Sequence, residues 1–228
     1  MPLKVNLGCG QRWKEDWVNI DWSWNARIRK HPIARIFVPF LYKTGLIDVS
    51  INWPPNLLLH DLRKKLPFEN ETVDCIYTGH VIEHLKRYEC IGYLQECFRI
   101  LRKGGVLRIV TPDLRLLASK YVERDRSFLF DKYQWQLSKT DCFADRFLTA
   151  AYWKDKEPRG LGEKIKSKLF SDPYHQWLYD FESLSSILRN IGFQSIEECK
   201  FGEGKTLDIK IIEGYAPAPE SLYIEAKK

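Results

Sequence analysis

Apolar positions along the chain fall into short runs that stop at glycine or an acid, separated by stretches with helical spacing. LKVNLGCG is a buried strand running into a tight glycine turn. WVNIDW is a second short strand ending on an acid, LLLHDL a third, and TVDCIYTGHV a fourth. From about Lys86 to Leu101 the positions Tyr88, Ile91, Leu94, Cys97, Phe98 and Leu101 keep helical spacing, and RKGG is expected to cap that helix with glycine. VLRIVTPDL is a fifth strand. Leu114 to Phe170 reads as helical and aromatic, with turn signals around Pro158 and Gly162. Asp180 to Arg189 is an amphipathic helix stopped by NIG, and FQSIEECKF and SLYIEAKK are the last strands. The stretch from Ser23 to about Asn56 fits neither period cleanly.

Strands alternating with helices predict an α/β protein with an open parallel sheet. In such sheets ligands bind beyond the carboxyl ends of the strands. Gly8, Gly10, Asp21, Asp61, Thr78, His80 and Asp113 all fall at such ends. The GCG turn needs glycine where backbone must turn sharply and lie against a ligand. GCGQRW lacks the third glycine of a dinucleotide loop, and the Lys and Ser/Thr of a phosphate loop. Two acids at strand ends suit ribose hydroxyls and an adenine edge and repel phosphate.

With those pieces in place the chain resembles the class I S-adenosylmethionine-dependent methyltransferases. NLGCG, WVNID, HDLRKKLPFENETVDCIYTGHVIEHL and LRKGGVLRIVTPDL carry the resemblance, over positions 3 to 21 and 57 to 115. YHQWLYDFESLSSILRNIGF, from 174 to 193, matches more weakly. The nearest branch is the small methyltransferases of bacterial glycan and secondary-metabolite pathways. The resemblance implies a Rossmann-like three-layer sandwich with a mostly parallel seven-stranded sheet and helical insertions. It implies S-adenosylmethionine as cofactor. Asn6, Gly8, Cys9 and Gly10 would form the loop beneath its methionine part. Asp21 would bind the ribose, Asp61 with Leu62 would flank the adenine, and Thr78, Gly79 and His80 would face the methionine and methyl end. One departure is the short path from Gly10 to Asp21, where the family places a full helix.

A hydroxyl acceptor needs a base, and an imidazole suits that task. His80 is the first candidate, followed by Asp113 and His175. His80, Glu83 and His84 spell H-x-x-E-H, an inverted zinc-protease pattern. The first His ends a strand here, which speaks against proteolysis. No resident metal is expected, with a divalent ion on His80, Glu83 and His84 as the alternative.

Composition adjusts this picture only slightly. The 228 residues, 44% apolar and 29% charged, suit one globular domain spanning 1–228, with insertions at about 22–56 and 114–175 forming a lid or acceptor pocket. The net charge of +6 allows an anionic partner without demanding nucleic acid. No apolar run is long enough to span a membrane and no leader precedes LKVNLG, so a cytoplasmic location is expected. Six Cys show no CxxC spacing. Segment 22–47 has no acid and mixes Arg27, Arg29, Lys30, Arg35 and Lys43 with Trp22, Trp24 and other aromatics. It suits a lid over a sugar, a peripheral membrane contact, or a packed insertion. The expected reaction is O-methylation of a sugar, glycan intermediate or small metabolite. A nucleic-acid or protein methyltransferase and a non-catalytic binding module are the rivals.

Overall fold

The computed structural model describes residues 1–31, 36, 52–125, 142–152, 175–214 and 220–228. Most of segment 22–56 and much of 114–175 lie outside them, with Arg35, Lys43, Trp135 and Trp153.

Seven strands form one sheet: β1 Lys4–Leu7, β2 Val18–Asp21, β3 Leu58–Leu59, β4 Val73–Gly79, β5 Leu101–Pro112, β6 Gln194–Cys199 and β7 Ser221–Lys227. Their order is β3-β2-β1-β4-β5-β7-β6. Strands β1 to β5 pair in parallel, and β7 runs antiparallel to both β5 and β6. The sheet is thus mostly parallel but mixed. The order reverses at β1, whose two neighbours are β2 and β4, so loops leaving β1 and β4 open a crevice between them.

Six α-helices accompany the strands among the described residues: α1 Trp24–Lys30, α2 Arg87–Ile100, α3 Leu114–Glu123, α4 Phe143–Tyr152, α5 Phe181–Ile191 and the single turn α6 Ile209–Ile212. In α5 the Asp180 and Ser183 side chains cap each other's backbone, and Gly192 closes the helix at φ 118°. Its buried face carries Leu184, Ile187 and Leu188, and these join Leu94 and Cys97 of α2 in the main core. Alternate strand residues face opposite ways: Leu107 and Ile109 enter that core, while Val110 enters a second cluster with Trp17, Tyr77, Ile209, Ile212 and Tyr223.

Two local expectations are corrected. RKGG does not cap α2. The helix ends at Ile100 and Leu101 is already extended at φ −64°, ψ 134°. Leu101 pairs with Val73, so the strand starts before the glycines, and the ladder shifts register between Val73 and Cys75. Gly104, at φ 78°, turns the backbone inside β5, where its N–H meets the Lys228 carbonyl at 2.8 Å. The stretch after Ser23 is not shapeless: Ser23 accepts from the Ala26 N–H and starts α1, only 7 residues long.

The short path between Gly10 and Asp21 contains no helix. Two turns, Arg12 N–H to Cys9 carbonyl at 2.8 Å and Trp17 N–H to Lys14 carbonyl at 3.2 Å, carry the chain back. Val5 still aligns with Val18 in parallel. Trp17, 1% exposed, fills the space beside Cys75 and Tyr77. One indole does the packing that a crossover helix would do.

Candidate active site

Gly8 leaves β1 at φ 72°, and a Cβ there would run into the Val81 side chain. The glycine loop and the segment after β4 therefore interlock, and only glycine fits. Gly10, at φ 48°, differs: a Cβ there would meet nothing within 4 Å. Backbone at that point borders open space. Cys9 between them is buried and packs with Ala26 and Leu57, and burial pushes its thiol up to about 12. Asn6, 1% exposed, donates to the Arg12 carbonyl at 2.5 Å and braces the loop from below.

Asp21 ends β2, 6% exposed. One of its oxygens accepts the Gly10 N–H at 3.0 Å and the other the Ser23 N–H at 2.7 Å. A carboxylate offers about four acceptor sites, so these two bonds fix Asp21 and leave capacity for hydroxyl groups. The neighbouring strand brings His60, whose N–H meets the Asp21 carbonyl at 3.3 Å, and then Asp61. Both Asp61 oxygens accept from the Arg63 guanidinium at 2.9 Å, and this pairing holds the Asp61 carboxyl below the usual range. Leu62 is buried in the main core.

At the end of β4, Thr78 is buried and accepts from the Tyr93 hydroxyl at 2.9 Å. Gly79 lies under the Tyr77 ring: a Cβ on Gly79 would sit 2.7 Å from the Tyr77 hydroxyl. His80 takes the left-handed conformation, φ 55°, and its N–H reaches the Val110 carbonyl at 2.8 Å. That turn swings the imidazole back to Glu83, with Nδ1 3.0 Å from Oε1. The Glu83 carboxyl is fully buried, and Thr111 donates to its Oε2 at 3.3 Å. Burial works against its charge, yet the His80 bond and the neighbouring imidazoles hold its carboxyl below the usual range.

The remaining sequence candidates separate. Asp113 accepts the Arg115 N–H at 2.9 Å and caps α3. His175 comes to the His84 ring, centroids 5.1 Å apart, and its Nδ1 donates to the Ala151 carbonyl at 2.9 Å. The backbone N–H of Gln176 meets the Glu83 carbonyl at 2.6 Å, tying this late segment to the β4 turn. Spacing along the chain gives no hint of the His84–His175 contact. Thr111 and Arg63 also escaped sequence reasoning, although Arg63 stands two residues from its partner in HDLRKK.

Residues 47–109 match the model of a methyltransferase domain. The matched stretch contains Asp61, Thr78, His80 and Glu83. A probable S-adenosylmethionine-dependent methyltransferase of Mycolicibacterium smegmatis is 35% identical over 110 residues, which is 48% of this chain and 37% of that protein. The alignment thus takes in little more than a third of that relative's length. A SAM-dependent methyltransferase from Thermotoga maritima is similar over 100% of this chain and 83% of its own, at 16% identity and TM-score 0.46. Another from Archaeoglobus fulgidus covers 86% of its own chain at 14% identity and TM-score 0.47.

The residues present fit S-adenosylmethionine, the cofactor named for the Mycolicibacterium smegmatis relative. Gly10 borders open space at the crevice, two acids stand at adjacent strand ends, and the loop has no phosphate-binding Lys. Among the described residues no helix is long and apolar enough to cross a membrane.

Proposed function

We propose that this protein transfers a methyl group from S-adenosylmethionine to a hydroxyl of a sugar, glycan intermediate or small metabolite. The cofactor supplies a methyl group already activated by its sulfonium. Gly8, Cys9 and Gly10 form the loop beneath it, with Asn6 bracing that loop. Asp21 takes the ribose hydroxyls. Asp61 and Leu62 border the adenine, and Thr78 and Gly79 border the methionine end.

The observation that carries the acid–base reading is the His80–Glu83 contact, 3.0 Å between Nδ1 and Oε1. A buried carboxylate held in its charged form accepts the Nδ1 proton and fixes the tautomer. Nε2 then keeps the lone pair, and His80 takes the acceptor's hydroxyl proton. Glu83 positions His80 and stabilises the imidazolium that results. Asp113 serves the fold through its cap.

Support for a ring-bearing acceptor comes from aromatic and basic side chains of the first insertion and, outside it, from Arg87 and Trp177. The Arg27 guanidinium lies over both Trp22 and Trp24, at 4.6 and 5.5 Å from the ring centroids. Trp177, 46% exposed, lies under Arg87 at 5.8 Å. Indole faces of this kind stack on sugar rings.

Calorimetric titration with S-adenosylmethionine tests the reading. Wild type and His80→Ala are expected to bind and Asp21→Ala to lose binding; a wild type that does not bind sinks it. Labelled methyl incorporation into a panel of nucleotide sugars and hydroxylated aromatics then reports turnover. His80→Ala is expected to fall by about 10²–10⁴; full turnover in that variant removes His80 as the base.

A further inference from the structure

We propose that Glu83, His84 and His175 form a binding site for a divalent first-row transition ion. One carboxylate oxygen and one ring nitrogen from each histidine lie within 4.8 Å of one another. The set is brought together by the β4 turn and by the segment entering the last quarter of the chain, and the 2.6 Å bond from Gln176 N–H to the Glu83 carbonyl fixes the two backbones together.

Each member is prepared for an ion. Glu83 is fully buried and brings a carboxylate that meets His80 at one oxygen and Thr111 at the other. The His84 Nδ1 is buried without a hydrogen-bond partner. Leaving a ring nitrogen so costs stability, and a bond to a metal satisfies it. A carbonyl only accepts, so the 2.9 Å contact to Ala151 puts the His175 proton on Nδ1. Nε2 is then the lone-pair nitrogen, and the carbonyl orients the ring as outer partners of metal-bound histidines do.

Two imidazoles and one carboxylate suit Zn²⁺, Co²⁺ or Fe²⁺ rather than Mg²⁺ or Ca²⁺, which favour oxygen. Three protein ligands leave a further position for water or a hydroxyl oxygen. The inference goes beyond the methyl-transfer reading and does not depend on it.

The test titrates EDTA-stripped protein with Zn²⁺ by calorimetry and with Co²⁺ by visible absorption. One ion per chain is expected, with a Co²⁺ spectrum free of a thiolate charge-transfer band. His175→Asn and His84→Asn should each weaken binding by roughly 100-fold or more, since even outer partners are worth 10–100-fold. Absence of binding, a thiolate band, or affinity unchanged in both variants overturns the proposal. Titration of the same samples with S-adenosylmethionine shows that the variants are folded. Wild type that takes Co²⁺ but no S-adenosylmethionine leaves this site standing and overturns only the methyl-transfer reading; the converse does the opposite. Should a variant fail to fold, the wild-type spectrum alone still decides between nitrogen and thiolate ligands.

Discussion

Asp61 shows how a single side chain can be legible in type and hidden in state. An acid at a strand end is visible in LLLHDL; its pairing through both oxygens with Arg63 is a matter of rotamers. The pairing predicts a pH dependence. The folded carboxyl is held below the ordinary value of about 3.9, so in that window the unfolded chain binds more protons. Stability from Asp61 is therefore fully present above about pH 4 and is lost as pH falls through the lowered folded value. Asp61→Asn should flatten the fall of the urea midpoint between about pH 4 and pH 2. An unchanged slope would show that the pair contributes nothing at this exposed edge, as many such pairs do. His84 and His175 mark the opposite limit of residue-level reading. In sequence His84 is a candidate for a metal and His175 for a base, each on its own, and only the folded chain sets their rings 5.1 Å apart.

At the level of elements, the strands were readable because apolar runs ended sharply on Gly or Asp, and α5 because Asp180 and Gly192 bracket an amphipathic run. What escaped was short or compound. α1 has too few residues to show a period. RKGG looks like a cap, yet strand pairing from Leu101 claims the residues ahead of the glycines. The crossover from β1 to β2 sits between these cases: its shortness was evident, but not what would fill the place of the helix. The structure buries Trp17 against β4 and α6. Trp17→Ala should cost about 3–5 kcal/mol, measured by urea unfolding, and Trp17→Phe should recover most of it. A loss below about 1 kcal/mol would mean that the turns alone hold β2 beside β1.

Across the whole molecule, the sheet is closed on its antiparallel side by a charge cluster that no local pattern announces. Arg108 stands in VLRIV, where a lone charge reads as an outward-facing strand position, yet it is 0% exposed. Its guanidinium bonds Glu213 at 2.7 Å, stands 3.8 Å from Glu225, and donates to the carbonyls of Lys200 at 2.9 Å and Glu203 at 3.0 Å. Glu225 in turn accepts the N–H groups of Lys205 and Thr206. One cation thus ties β5 and β7 to the loop between β6 and α6. Removing it would leave two buried carboxylates facing each other without a counter-charge. Breaking a buried pair in this way typically costs about 3–5 kcal/mol, whereas removing both partners costs far less. Arg108→Met should therefore lower unfolding stability by about that amount. Arg108→Met with Glu213→Gln should regain part of the loss, because one of the two stranded charges is gone. If the double variant is as unstable as the sum of its single changes, the cluster acts by packing and carbonyl bonding, and its charges are incidental.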